Sequence, residues 1–529
     1  MVVGMERKMK DVLRCAEKQN YYDDRDINSI YQYALGIEGK TLIQILQEAN
    51  LSDEDIAWVH SKETDKGLPG KIIEASYFGY ELNSRQEADF EKVGVELKST
   101  PADIDKKTHE YKSGETISIT QIDFNHPVEL DFYKSHVYQK LRMLLVIFYY
   151  RNRALQSKLQ YNVFYATLFQ PSIEDIAIIE SDFNDINKKI CSGRAHLLSR
   201  TDGTYLGTAP KSTKNDFIHP YYGGLPVVNR SFTLKKDYVN VILSSYYTRS
   251  NAVQEERLLS DVELIDLKRM TFAEKLQERF RPYLYWRIED IAATLDLHMI
   301  MNKSTLPVLT AHMLGLSQLR CEEFTKAGIV VKTICFNEHG TNKEKFRLGD
   351  ADFMEIYNSP DPYVEKEIDS ETGEEYEVIK TGWTDSELYK QLDNLKYLFV
   401  VFQKIPGGSI IFKGSKLWSM SEEDILKALR DWLDIRNVLR QGVQLTRGPW
   451  GNDERTYNNF PGVAKARIIH LRPHGEKAFY VDTDGTSWGN GQISDTEPLP
   501  DGRRMTRQSY WLSNIYVRDL VSDLVDIYS

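Results

Sequence analysis

Residues 88–101 read ADFEKVGVELKSTP, and this stretch decides both the fold and the chemistry. Side chains alternate across a strand, so Val93, Val95, Leu97 and Ser99 share one face and Gly94, Glu96 and Lys98 the other. The first face suits a buried core. The second aims a carboxylate and an ammonium the same way, with Asp89 a turn upstream, and packing alone gives no reason for that.

The chemistry of such a set is specific. Carboxylates arriving from a turn (Asp89) and a strand (Glu96) offer hard oxygen ligands to Mg²⁺, which keeps waters free for a substrate. An ammonium beside them, Lys98, positions or helps deprotonate one water and offsets charge developing at phosphorus. Together these are the parts needed to hydrolyse a phosphodiester. A D…E-x-K spacing also arises by chance, so a surface salt bridge is the competing reading. Glu74, in GKIIEASYFGY, is expected on a helix facing the same pocket, and Lys140 just ahead of a strongly apolar run; each could equally be a solvated helix residue.

Working outward, GKIIEASYFGY reads as a helix, VGVELKS and TISIT as strands, and VYQKLRMLLVIFYY as a helical turn running into a buried strand. Asp11 to Ile56 is helical in period. This mixture predicts an α/β (α+β) fold. The chain of 529 residues is too long for one core. Its 41% hydrophobic and 27% charged residues fit a soluble globular protein. The longest apolar run, Met143–Tyr150, falls far short of the roughly 20 residues a membrane helix needs. No membrane passage is expected, and the polar N-terminus gives no signal for export. Cys15, Cys191, Cys321 and Cys335 are too scattered for a zinc site or a disulfide framework, which points to a reducing cytoplasm. A net charge of −11 argues against non-specific coating of nucleic acid but leaves a lined cleft open.

The chain then repeats itself. DFEKVG is echoed by EFTKAG (323–328), GVELKS by GIVVKT (328–333), YQKLRMLLVIF by LDNLKYLFVVF (392–402) and LLSRTDG by IHLRPHG (469–475), in the same order. Glu323, Val330 and Asn394 then stand where Asp89, Glu96 and Lys140 do, while Lys332 matches Lys98. A core is kept and a set of charges is lost together, as parts of one reactive centre would be. Gln254–Phe280 reads as one charged connecting helix, and the acidic YVEKEIDSETGEEYEVIK as a hydrated loop. The predicted divisions are 1–250, a catalytic domain, 251–284, a connector, and 285–529, a degenerate DNA-binding or effector copy.

DKGLPGKIIEASYFGY (65–80), ADFEKVGVELKSTP, YQKLRMLLVIF, GTYLGTAPK (203–211) and FTLKKDY (232–238) together resemble the MutH and Sau-three-A family of GATC-specific endonucleases. The resemblance implies two tandem restriction-endonuclease-like domains, each a mixed sheet flanked by helices, and a need for Mg²⁺. It makes Asp89 and Glu96 the metal-binding acids, Lys98 the catalytic lysine, Glu74 the helical active-site glutamate and Lys140 a further active-site lysine. It places Lys211, Lys235 and Lys236 near bound double-stranded DNA; Ala209 and Thr233 stand where the mismatch-repair branch has an arginine and a tyrosine. Arg467, Arg472, Arg503, Arg504 and Arg507 form a basic, aromatic-interleaved set in the second copy, suited to a duplex or to a solvated face. A type II restriction endonuclease is thereby expected, self-associating on DNA, with a cognate methyltransferase in the same system. A mismatch-repair nickase and a non-catalytic DNA-binding protein are the rival expectations.

Overall fold

A run apolar on both faces has to lie between other strands, and Leu144–Tyr150 does so. The first unit is built on β1 (Glu96–Ile104), β2 (Tyr111–Ser113), β3 (Ile117–Gln121), β4 (Leu144–Tyr150), β5 (Asn162–Phe169), β6 (Leu206–Pro210), β7 (Phe217–Ile218), β8 (Val227–Val228) and β9 (Arg230–Leu234). One sheet runs β2-β1-β4-β5, with β1 and β4 parallel and Glu96 opposite Leu144; a second runs β3-β9-β6, antiparallel. Leu97, Leu145, Ile147 and Val163 meet Ile72, Ile73 and Phe90 in the core. The computed structural model describes residues 8–13, 21–80, 87–105, 108–211, 217–247, 255–298, 300–361, 363–368, 375–380, 382–450, 453–464 and 467–527. Contacts group Met1–Lys275, Cys321–Ala327 and Glu365–Val378 as the first unit and Leu276–Arg320, Gly328–Val364 and Ile379–Ser529 as the second.

Later strands are β10 (Ile329–Phe336), β11 (Phe346–Asp350), β12 (Tyr363–Ile368), β13 (Glu375–Lys380), β14 (Lys396–Lys404), β15 (Ile410–Ser419), β16 (Leu445–Trp450), β17 (Asp453–Asn458), β18 (Ile469–Pro473), β19 (Phe479–Val481), β20 (Ser487–Gly489), β21 (Thr496–Pro498), β22 (Arg504–Thr506) and β23 (Gln508–Leu512). The order β10-β14-β15, with its first pair parallel, repeats β1-β4-β5, and β11-β23-β18 repeats β3-β9-β6. Even the irregularity recurs: the register shifts between Ser118 and Thr120 in one sheet and between Arg347 and Gly349 in the other.

A buried carboxylate fixes each second sheet. In the helix Ile173–Cys191, capped by Ser172, Asp182 accepts the backbone N–H groups of Thr204, Tyr205 and Leu206 at 2.7, 2.7 and 2.9 Å. In the helix Glu422–Gln441, capped by Ser421, Asp431 accepts those of Ile468 and Ile469 at 2.8 and 3.0 Å. Both aspartates stand at the same distance beyond their caps. These clamps make β18 the counterpart of β6, so IHLRPHG corresponds to LGTAPKS rather than to LLSRTDG.

Two further expectations change. Gln254–Phe280 is not one helix: among its described residues it forms Asp261–Asp266 and Phe272–Phe280. Reciprocal Ser260–Glu263 and Thr271–Glu274 capping boxes each start a new helix. The acidic insertion forms β12 and β13, a two-stranded sheet; its residues 369–374 lie outside the described ones, as does Cys15. Cys191, Cys321 and Cys335 are free thiols, and no described helix is long and apolar enough to cross a membrane.

Asp182→Ala leaves three buried N–H groups unpaired, each worth about 1–3 kcal/mol. Chemical denaturation should show a first-unit transition destabilised by roughly 3 kcal/mol or more, while Asp185→Ala, on the exposed side of the same helix, shifts it little.

Candidate active site

Strand β1 opens at Glu96, and its alternation does what the sequence demands: Leu97 enters the core while Glu96 and Lys98 share the other face. Glu96 is 1% exposed, a burial a carboxylate tolerates only when its charge is met. Its Oε1 takes both ammonium groups, Lys98 Nζ at 2.7 Å and Lys140 Nζ at 3.1 Å. Its Oε2 lies 3.3 Å from the Asp89 backbone N–H, which donates to it. Asp89 answers across the same segment, its Oδ2 accepting the Leu97 N–H at 2.9 Å. Gly94, at φ +68°, makes the turn that returns the chain from Asp89 to the strand.

Lys140 reaches this site from the short helix His136–Leu141, which Ser135 caps and which ends just before β4. Glu74 comes from upstream, where the helix Leu68–Lys71 widens into a π-helix, Ile72–Tyr77. A π-turn inserts an extra residue and re-aims its side chains, a feature recurrent at functional sites. No hydrogen-bond partner for the Glu74 carboxyl is found among the described residues.

The electrostatics show three acids crowding one place. Burial pushes the Glu74 carboxyl up to about 7, with Lys98 opposing the rise and the Asp89 and Glu96 charges adding to it. Burial and the Glu96 charge push Asp89 above its ordinary range as well. Burial works against the Lys98 ammonium, but Glu96, Asp89 and Glu74 hold its proton more tightly than usual. Lys98 is therefore a cation here, suited to holding a water or an anionic oxygen rather than to taking a proton. The structure thus brings Glu74, Asp89, Glu96, Lys98 and Lys140 together.

Sequence reasoning missed Arg142. Its guanidinium lies across Gly94, so close that a Cβ there would sit 1.7 Å from Nη2. Its position two residues beyond Lys140 was the available signal.

The residues expected at DNA are dispersed. Lys211 follows β6, exposed, with Nζ 3.3 Å from Gln121 Oε1. Lys235 gives its Nζ to the Arg200 carbonyl at 2.5 Å and caps the helix that Lys236 opens. Arg467 is held by Asp431 and Asp434 at 3.2 and 2.7 Å, and Arg504 donates to Thr496 Oγ1 at 2.8 Å. Arg503 pairs with Asp501 at 2.6 Å. These three arginines, each partly exposed, have partners within the second unit. Arg507 is exposed, and Arg472 stacks 5.9 Å from the Trp511 ring centre.

In the second copy the equivalents do other work. Glu323 accepts the Leu258 and Leu259 N–H groups at 2.8 and 2.9 Å, inside the first unit. Val330 is 48% exposed, and Lys332, pushed down by burial, lies over the Tyr397 ring. Asn394 closes its helix by donating to the Lys390 carbonyl. Counting from the equivalent caps Ser135 and Ser386 puts Gln391, not Asn394, opposite Lys140. Either residue is uncharged.

The family model described as DNA mismatch repair enzyme MutH matches residues 78–182, which hold Asp89, Glu96, Lys98 and Lys140. The type II restriction enzyme Sau3AI of Staphylococcus aureus is 28% identical over 492 residues, 88% of this chain and 94% of its own. DNA mismatch repair protein MutH of Vibrio cholerae serotype O1 is 29% identical over 187 residues, 35% of this chain and 81% of its own. MutH of Serratia proteamaculans is 25% identical over 222 residues, 41% and 92%. The chain therefore carries a MutH-family domain. Over nearly its whole length it is similar to a type II restriction enzyme, and the MutH relatives cover less than half of it.

A folded-state carboxyl raised to about 7 binds a proton that the unfolded chain has released, so stability falls as pH rises from about 4.5 through 7. Glu74→Gln should flatten that fall. Thermal unfolding in a chelator, scanned across that window, should show the variant gaining on the parent as pH increases.

Proposed function

We propose that this chain is a type II restriction endonuclease that hydrolyses double-stranded DNA at GATC with Mg²⁺. One observation carries the chemistry: a fully buried Glu96, shared by two lysines, faces Asp89 at the open end of a strand.

Asp89 and Glu96 are the residues that would hold Mg²⁺. Among the described residues no group of three or more His, Cys, Asp or Glu has metal-holding geometry. Two carboxylates completed by waters nevertheless suit this ion, and the burial that raises Asp89 and Glu74, with the neighbouring acids adding to it, is relieved by a cation there. When bound, Mg²⁺ supplies Lewis-acid polarisation of the scissile phosphate. Lys98, kept charged, orients the attacking water and stabilises the negative oxygens as the new P–O bond forms and the bridging P–O bond breaks. Lys140 holds Glu96 in place, and Glu74, titrating near neutrality, can take the proton the water loses.

The GATC sequence comes from the resemblance and from the similarity to Sau3AI. One catalytic centre cuts one strand per event, so double-strand cleavage requires two chains meeting on DNA or two successive nicks; we favour transient self-association. The division into 1–250, 251–284 and 285–529 is retained as a functional one, with the last part binding a second DNA site as an effector. A cytoplasmic location and a partner methyltransferase that protects host sites complete the proposal. The MutH relatives keep one rival in view, a nickase that cuts a single strand.

Digestion of a plasmid of known sequence with Mg²⁺ and no added protein should give double-strand ends at GATC. Asp89→Ala should lower the cutting rate by about 10³-fold or more while the variant still retards a GATC duplex in a gel. Ends unrelated to GATC would remove the specificity, and nicked circles as the sole product would favour the nickase.

A further inference from the structure

We propose that Arg142 is a further residue of the cleavage site, its guanidinium holding a phosphate of the cut strand next to the scissile one and so positioning that strand over Asp89 and Glu96. This deepens the nuclease reading above and rests on it.

The chain builds the place from two directions. Asp89 and Glu96 flank one tight turn, closed by the Gly94 N–H donating to the Phe90 carbonyl and the Phe90 N–H donating to the Val95 carbonyl, both at 2.8 Å. Arg142 closes the helix that carries Lys140, its own N–H donating to the Tyr138 carbonyl at 3.0 Å. The next residue, Met143, accepts the Glu96 N–H at 3.0 Å, which locks the arginine's segment to the start of β1. The guanidinium then lies across Gly94: a Cβ there would stand 1.7, 2.5 and 2.8 Å from its Nη2, Cζ and Nε, so only a glycine leaves room for it. Two residues of chain span at most about 7 Å, which keeps Gly94 close to Glu96.

No acid holds the Arg142 side chain. It is exposed, and among the described residues it makes no ion pair with a carboxylate. The acids around it have other partners: Glu96 takes Lys98 and Lys140, and Asp89 accepts the Leu97 N–H. Glu91, in the same turn, is exposed and makes no bond to the guanidinium, and its neighbour Lys92 pairs with Asp24 at 2.5 Å. A guanidinium in the open keeps a planar fork of donors that fits a phosphate through two parallel hydrogen bonds, and it does not give up its proton. Its work at a phosphodiester is therefore to hold and orient. Lys98 and Lys140 are both engaged by Glu96, which leaves a neighbouring phosphate to Arg142.

The second unit argues that the arginine serves chemistry rather than the turn. Gly328, the counterpart of Gly94, keeps the same left-handed conformation, φ +66° against +68°. Counted from the caps Ser135 and Ser386 the counterpart of Arg142 is Asp393, and counted along the paired strands it is Leu395. Lys396, which follows, is buried at the start of β14 opposite Ile329. The turn thus stands without the arginine, which is lost together with the carboxylate in the place of Glu96 and the ammonium in the place of Lys140.

The test cuts GATC duplexes in which one phosphate at a time, on either side of the cut, is replaced by an uncharged methylphosphonate. On the unmodified duplex Arg142→Ala should lower kcat/KM roughly tenfold or more, with an unchanged thermal midpoint, and Arg142→Lys should recover part of the loss because the charge stays and the fork goes. The full chain should lose about as much at one phosphate beside the cut, and Arg142→Ala should lose nothing further at that phosphate while still losing at the others. An Arg142→Ala chain that cuts at the parental rate overturns the inference. So do losses that add at every phosphate, above all with a lowered thermal midpoint, which would make Arg142 a prop of the turn. A parent chain that cuts no GATC duplex with Mg²⁺ overturns the nuclease reading and the inference together.

Discussion

The site depends on one buried charge. Glu96 has almost no contact with solvent, so its carboxylate is stable only because Lys98 and Lys140 bring their ammonium groups to the same oxygen. That shared contact sets everything nearby. It fixes the start of β1, holds the turn from Asp89 in register through two backbone N–H bonds, and leaves the neighbouring acids short of positive charge. Burial first, and the charges of the neighbouring acids after it, raise the carboxyl groups of Glu74 and Asp89. A divalent ion and an anionic phosphate would satisfy both sides of the imbalance at once.

Duplication explains why the second unit keeps the scaffold and not the chemistry. The parallel pair at the sheet centre, the shifted register on the outer strand and the aspartate that clamps helix to strand are all held by burial and backbone hydrogen bonding, so they recur. The charges have no such hold. Once Val330 replaces a carboxylate at the position of Glu96, nothing requires a lysine at the position of Lys140, and an uncharged Gln391 stands there. Glu323 shows the other fate, an acid taken over to cap backbone N–H groups.

Much of this was legible in the residues and some was not. Alternation alone placed Glu96 and Lys98 on one face, because a strand's period leaves no choice. The internal echoes exposed the repeat, but short matches could not fix its register near residue 470; the aspartate clamps do, through contacts distant in sequence. Ser260-x-x-Glu263 and Thr271-x-x-Glu274 were readable as two helix starts, and an unbroken charged run hid them. The π-turn that aims Glu74 and the burial of Lys140 depend on packing that no local pattern encodes. The Arg472–Trp511 stack is of the same kind, since it exists only through the pairing of β18 with β23.

The central claim is that Asp89 and Glu96 together hold a divalent ion against DNA. Anomalous diffraction from Mn²⁺ in crystals of the Lys98→Met chain, grown with an uncut GATC duplex, addresses it directly. The account predicts an ion bound to oxygens of both carboxylates and to a phosphate of the duplex. An ion coordinated elsewhere in the chain, with Asp89 and Glu96 left unbound beside the DNA, would contradict it.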